Sequence, residues 1–151
     1  VDAHLSSDGH WFSGLILRRW DRSAVGAATR SHRGSNDVTF GEAMGLNDAI
    51  DLVEKYRVTN VIFELDSQIV VNAVKRKLRV HKCWGAVIHR CVKFLQDNPN
   101  SSIVWTNRDR NRVAHALAKW AEMDPNQDWP NLMPSCIKSY IQKDIASLYS
   151  P

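Results

Sequence analysis

The sequence lacks the long apolar segments that mark membrane and secreted proteins. No stretch approaches the ~18 uninterrupted apolar residues of a membrane span. The first residues carry no basic region followed by an apolar core, so we do not expect a signal peptide. Because the sequence starts with Val1 rather than Met, we expect it to be a fragment, or the ordered part, of a longer chain.

Cysteine is scarce and has no pairing pattern. Cys83, Cys91 and Cys136 are odd in number and form no C-x-x-C pair of the kind that binds metal or performs redox chemistry. If Cys83 and Cys91 share a helix, a rise of ~1.5 Å per residue separates them too far for a disulfide. We therefore expect reduced, core-filling thiols in an intracellular protein, and the sequence does not distinguish nucleus from cytoplasm.

What the chain does contain is typical of one globular domain. Its 151 residues are 44% hydrophobic and 24% charged, which argues against intrinsic disorder. The net charge of +4 permits a polyanionic partner without requiring one. Residues 75–82, here called the basic strip, contain no acid and six basic side chains: Lys75, Arg76, Lys77, Arg79, His81 and Lys82. The strip is either a solvated helix end or a surface that contacts phosphates.

Hydrophobic periodicity predicts an α/β protein with the element order βββαβααβα. Strands are predicted near 1–5, 11–18, 24–30, 60–66 and 103–106, and helices near 39–56, 67–74, 83–96 and from 111, with Thr39 and Ser67 as N-caps. Three consecutive strands followed by β/α alternation indicate a mixed five-stranded sheet, three antiparallel strands and then parallel ones, with helices on both faces. Prolines break residues 124–151, which we interpret as a strap and docking helix of the same domain as residues 1–123.

Three acidic residues lie at positions where the fold would bury a charged side chain at a cost in free energy. Glu42 lies in the first turn of a helix, on the face that packs on the sheet, and would be desolvated there unless paired or metal-bound. Asp66 ends an apolar strand, where α/β sheets open into a ligand crevice, and Asp2 lies on the first strand. The alternatives are that Glu42 complements a helix dipole, Asp66 neighbours an N-cap, and Asp2 is a frayed end.

Convergent carboxylates have a known chemical use. Oxygen ligands suit Mg²⁺ or Mn²⁺, which also bind phosphate oxygens. Two such ions ~4 Å apart can activate a water and stabilise the leaving oxygen in phosphodiester cleavage. The acids and the basic strip would therefore fit one polyanionic substrate.

The ordered motifs resemble ribonuclease H of type 1, and most of all its plant reverse-transcriptase-like branch. That branch occurs in domesticated single-domain proteins and in retroelement polyproteins. The resemblance covers nearly the whole chain and rests on residues 14–18 (GLILR), 41–46 (GEAMGL), 64–67 (ELDS) and 108–118 (RDRNRVAHALA), with Asp2 on the first strand. It implies an RNase H-like fold, a two-metal site and cleavage of the RNA strand of RNA–DNA hybrids. The lack of long apolar segments separately predicts that there is no membrane partner.

Carried over residue by residue, Asp2, Glu42 and Asp66 match the first three metal-binding, catalytic carboxylates of that family. His115 stands where better-known members have the fourth, and the resemblance makes it a catalytic and metal-site candidate. Imidazole supplies less charge and is a poorer ligand for hard Mg²⁺, so weaker binding of a second metal or a preference for Mn²⁺ is expected. By helical geometry alone, His115 is an exposed histidine opposite the apolar face.

Two further departures concern substrate handling. The loop before the last core helix has Arg108 or Asp109 in place of a histidine that the enzymes it resembles often use to help product leave, so turnover is expected to be slow. The basic-handle helix of some bacterial relatives is absent, and the basic strip is the candidate to take over part of its role in gripping the hybrid.

RNA is distinguished from DNA through its 2′-hydroxyls, and deoxyribose packs on aromatic surface. Ser13, Asn36 and Asn72 are candidates to read the hydroxyls, and Trp84 to pack against sugar. The alternative to an enzyme is a weak or inactive RNase H-like module that binds nucleic acid or protein, motivated by His115 and the altered loop.

Overall fold

Three antiparallel strands form the first part of the fold. The computed structural model describes residues 1–130 and 133–148. Strands β1 (Asp2–Leu5), β2 (His10–Arg18) and β3 (Ala24–Arg33) pair in sequence order, and Asp2 lies opposite Gly14. The predicted hairpin is therefore confirmed, with longer strands than the sequence pattern indicates.

Helix α1 (Val38–Lys55) follows and packs on the sheet. Its N-cap is Asp37, whose carboxylate accepts a hydrogen bond from the Thr39 backbone N–H at 3.0 Å. The prediction that Thr39 caps this helix is wrong, because an aspartate two residues earlier already satisfies that N–H.

The second half alternates strands and helices, as predicted. Strand β4 (Ile62–Leu65) pairs in parallel with β5 (Ser102–Trp105), and between them lie α2 (Gln68–Lys75) and α3 (Gly85–Asp97). Ser67 caps α2 by accepting from the Val70 N–H, as predicted. The Val1 nitrogen donates to the Glu64 carbonyl at 3.1 Å and so places the start of β1 beside β4.

The chain ends in α4 (Arg112–Trp120), a two-residue strand β6 (Asp128–Trp129) and α5 (Ser135–Leu148). Strand β6 pairs with β3 and was not predicted. Strand pairing divides the described residues into a four-stranded antiparallel sheet, β1-β2-β3-β6, and the parallel pair β4-β5. The α/β class with mixed pairing is confirmed. The described residues form a sixth strand, β6, in addition to the five that were predicted.

Helices cover both faces of the antiparallel sheet. Leu15 and Ala28 belong to the core cluster that contains α1, while the adjacent Ile16 and Ala27 pack with α4 and α5, as alternation along strands requires. Arg18 on β2 and the buried Asp144 on α5 form an ion pair of 2.6 Å. Helix α5 thus packs against the core, while residues 131, 132 and 149–151 of the expected strap lie outside the described residues.

Two smaller predictions have clear outcomes. The three cysteines are free thiols, but only Cys91 is buried; Cys83 is exposed and Cys136 is partly buried, so the expectation of core-filling thiols is wrong for Cys83. Among the described residues, the helices include none with both the length and the apolar character to cross a bilayer.

Candidate active site

Three elements distant in sequence bring Asp2, Glu42 and Asp66 together. Asp2 lies on β1, Glu42 in the first turns of α1, and Asp66 directly after β4. One carboxylate oxygen from each lies within 4.8 Å of those of the other two. Asp2 and Glu42 are 4% and 7% exposed, and Asp66 is partly buried. We call these three side chains the acid cluster.

Burial and mutual repulsion dominate the electrostatics of the acid cluster. Burial raises the pKa of Glu42 to about 8, and the charges of Asp2 and Asp66 add to the increase. Burial, followed by the charge of Asp2, also raises the pKa of Asp66. Glu42 Oε2 is buried and has no hydrogen-bond partner in the part of the chain that the structure describes. The site therefore concentrates negative charge that a cation would neutralise.

His115 completes the site through a hydrogen bond. Its Nδ1 lies 2.7 Å from Asp2 Oδ2, while its side chain remains 54% exposed. The Asn111 side-chain amide donates to the Val1 carbonyl at 2.8 Å and ties the start of α4 to β1. Helical geometry predicts the exposure of His115 and the family resemblance predicts its place at the site, but neither predicts a hydrogen bond to Asp2. Of the described residues, the group able to share one ion consists of the three carboxylates and does not include His115.

Trp105 is a neighbour of the acid cluster that sequence reasoning missed. Its indole Nε1 donates to the Asp66 backbone carbonyl at 3.1 Å, and the residue is 46% exposed. The signal was its position: it ends β5, the strand that pairs with β4, and so lies at the same sheet edge as Asp66. Arg108, in a short 3₁₀ helix (Arg108–Arg110), has its Nε 3.9 Å from Asp66 Oδ2 and a 92% exposed side chain.

A family model described as reverse transcriptase-like matches residues 1–121. The chain belongs to this reverse transcriptase-like family. A search of curated protein sequences found no match. The predicted relationship to ribonuclease H of type 1 is confirmed for family and fold, whereas the plant branch remains a prediction.

Solved structures of ribonucleases H share the fold of this family member. RNase H1 of the archaeon Halobacterium salinarum superposes with a TM-score of 0.71 at 21% identity, over 82% of this chain and 94% of that one. The N-terminal RNase H domain of a Mycobacterium tuberculosis protein gives 0.65 at 22% identity, over 80% and 88%. An RNase H1 isolated from compost gives 0.65 at 15% identity, over 77% and 87%.

The basic strip of this reverse transcriptase-like protein is separate from the acid cluster. Lys75 ends α2, about 10 Å along the helix axis from its start beside Asp66. Every basic side chain of the strip is exposed, and none forms an ion pair with an acid of the described residues. Lys77 has a φ of 51°, where the chain turns after α2.

Two of the predicted nucleic-acid contacts are buried. Trp84 is 6% exposed and belongs to the main hydrophobic core, so its ring is not available to a sugar and that prediction is wrong. Ser13 is 1% exposed, beneath α1, and cannot reach a 2′-hydroxyl. Trp84 follows the basic strip in the sequence, which concealed its burial, whereas Ser13 lies between Phe12 and Gly14 in an apolar strand that already pointed to burial. Asn36, before α1, and Asn72, on α2, are exposed and stay predictions.

Proposed function

We propose that the protein is a divalent-metal-dependent nuclease that hydrolyses the RNA strand of RNA–DNA hybrids. The observation that carries the proposal is the acid cluster, whose three carboxylate oxygens lie within 4.8 Å of one another. The donor set fits a hard cation, because all its ligand atoms are carboxylate oxygens and Glu42 Oε2 has no other partner among the described residues. The named RNase H structures with the same fold support the choice of substrate.

Asp2, Glu42 and Asp66 would hold Mg²⁺ or Mn²⁺. When bound, such ions supply an activated water and stabilise the charge on the leaving oxygen. The chain's own contribution is to hold the ligands in place. His115 fixes Asp2 through the 2.7 Å hydrogen bond, and Trp105 fixes the backbone at Asp66. We infer that His115 orients Asp2 as well as bordering the site.

The surface around the acid cluster supports a nucleic-acid substrate. Arg108 is almost fully exposed beside Asp66, and the basic strip lies one helix length away. We propose that the strip holds the hybrid through phosphates while the cluster acts on the RNA strand. Asn36 and Asn72 would read 2′-hydroxyls from the exposed surface.

A cleavage assay tests the proposal. Labelled hybrid is incubated with Mg²⁺ and separately with Mn²⁺, and wild type is compared with Asp66→Asn. We expect metal-dependent products with wild type and none with Asp66→Asn. The matched control is Asp97→Asn, because Asp97 is an exposed acid at the end of α3, and its removal should leave cleavage unchanged.

The alternative is a non-catalytic nucleic-acid-binding module, favoured by the histidine in place of a fourth carboxylate. Hybrid binding without products at any concentration of either metal would support it and refute the nuclease. Cleavage with Mn²⁺ that is weak with Mg²⁺ would support the nuclease with the metal preference expected from His115.

A further inference from the structure

A groove of about 530 Å³ separates α4 from α5. Its walls combine basic and aromatic side chains. The residues used below are Arg112, His115, Lys119, Trp120, Met123 and Tyr140. Apart from His115, which also borders the proposed metal site, these residues belong neither to that site nor to the basic strip.

Helix α4 presents three basic residues to the groove, here called the α4 basic residues. Arg112, His115 and Lys119 are spaced at i, i+3 and i+7, so they lie on one side of the helix. Arg112 and Lys119 are about 10 Å apart along the axis. Both are exposed, and neither pairs with an acid in the described ranges. The α4 basic residues therefore offer two positive charges, those of Arg112 and Lys119, to an anionic ligand.

The groove begins at the acid cluster. His115 lines it and also lies 2.7 Å from Asp2 Oδ2, so the same imidazole borders both sites. A nucleic-acid strand that leaves the acid cluster past His115 would next meet Arg112 and Lys119. This continuity selects the nucleic-acid substrate, rather than an unrelated anion, as the occupant.

The other groove side chains offer apolar surface to bases. Trp120 and Tyr140 are partly buried, and Met123 is 77% exposed. Aromatic side chains beside cations are the combination that binds single-stranded nucleic acid, since bases stack while phosphates pair with the cations. A duplex keeps its bases stacked inside and cannot use such surfaces.

We propose that this groove binds a single-stranded stretch of the RNA strand that adjoins the hybrid. Arg112 and Lys119 contact its phosphates, and Trp120 and Tyr140 pack against its bases. The inference rests on the proposed function, because it takes the hybrid as the substrate. It adds a preference for hybrids in which the RNA strand extends beyond the paired region.

Binding without divalent metal tests the groove, because the RNA is then not cut. Fluorescence polarisation compares a blunt hybrid, the same hybrid with a single-stranded RNA extension at either end, and one with a DNA extension. We expect the RNA extension at one end to tighten binding about tenfold, the value of one stacked base. No gain from an RNA extension at either end, or an equal gain from DNA, overturns the proposal.

Variants test whether the groove residues cause the tighter binding of the extended hybrid. Arg112→Ala with Lys119→Ala should reduce the gain and lower the salt dependence of binding to the extended hybrid by about 1.4 in the log–log slope, for two lost phosphate contacts on a single strand. Tyr140→Ala should lose most of the gain, whereas Tyr140→Phe keeps the ring and should bind as wild type. The matched control is Lys138→Ala with Lys143→Ala, two exposed cations on α5 that do not line the groove.

The outcomes separate this proposal from the one on which it rests. Circular dichroism checks that each variant folds, and if Tyr140→Ala does not, the exposed Arg112 and Lys119 carry the test. An equal loss in the α5 control overturns the groove assignment. Cleavage of the blunt hybrid without any effect of extensions rejects the groove and leaves the nuclease in place, whereas absence of cleavage of every hybrid rejects the nuclease itself.

Discussion

Glu42 shows how one buried side chain makes the site sensitive to pH. Its pKa rises from 4.5 to about 8 because burial and two neighbouring acids oppose its charge. The folded, metal-free protein therefore keeps a proton that the unfolded chain has released over that range. The stability due to this proton is fully present below pH 4.5 and is lost as pH rises through about 8.

We expect the free energy of unfolding of the metal-free protein to fall with rising pH in that window, by roughly 1 kcal/mol per pH unit from this group. Urea unfolding at a series of pH values, with chelator present, measures the fall, and Glu42→Gln should remove it. The pKa of His32 is also raised, by its hydrogen bond to Asp48, so its contribution also declines with rising pH. The prediction therefore concerns the difference in the free energy of unfolding between wild type and Glu42→Gln. Parallel curves of that free energy against pH would contradict it.

His115 gives a second prediction at the scale of a residue. If it orients Asp2 through Nδ1, His115→Ala should weaken Mn²⁺ binding by about 10-fold to 100-fold, as loss of partners behind metal ligands does. His115→Asn places an amide N–H near the position of Nδ1 and should restore part of the affinity. Isothermal titration calorimetry measures both, with His89→Ala, an exposed histidine on α3, as control. Unchanged affinity in His115→Ala would rule out the orienting role.

At the scale of elements, the site depends on how closely α4 approaches β2. A Cβ on Gly14 would lie 2.3 Å from the Ala114 carbonyl oxygen and 2.4 Å from the Ala118 nitrogen. These are backbone atoms of α4, so a side chain cannot be accommodated by a change of rotamer. Gly14 is also the partner of Asp2 across β1 and β2, and so glycine at this position lets His115 reach Asp2.

Gly14→Ala should therefore move α4 away from the sheet and destabilise the protein by about 3 kcal/mol, at the upper end of overpacking effects. Mn²⁺ affinity should fall with it, because His115 moves with the helix. Gly26→Ala is the matched control on β3, where the nearest atom lies 3.8 Å from the added Cβ. Thermal unfolding and calorimetry compare the two, and equal effects would argue against close packing as the cause.

Sequence patterns predict most elements because their signals are local. Helix α1 has apolar residues at helical spacing, and β4 is a short apolar run before a capped helix. The exceptions have either a competing local signal or none. Thr39 resembles an N-cap but follows Asp37, which takes that role. The two-residue β6 has no pattern of its own and exists because β3 offers a free edge.

At the scale of the whole molecule, the fold forces acids together that would separate in an unfolded chain. A divalent cation bound to the folded state alone should raise its stability, by about 2.7 kcal/mol at a concentration 100 times the dissociation constant. We therefore expect millimolar Mn²⁺ to raise the Tm of the wild type. Asp66→Asn should show a smaller shift, while Asp97→Asn should respond as the wild type does. No shift in the wild type would contradict a formed metal site.

The sequence by itself determined the order of the elements other than β6, the family and the identities of the three acids, because periodicity, caps and motif spacing depend on neighbouring residues. Only the tertiary structure decided that His115 bonds to Asp2, that Trp105 anchors Asp66, and that Trp84 is in the core rather than on the surface. These depend on which faces of distant elements meet, and that is fixed by the packing of helices on the sheet. Local sequence patterns do not determine how these distant elements pack.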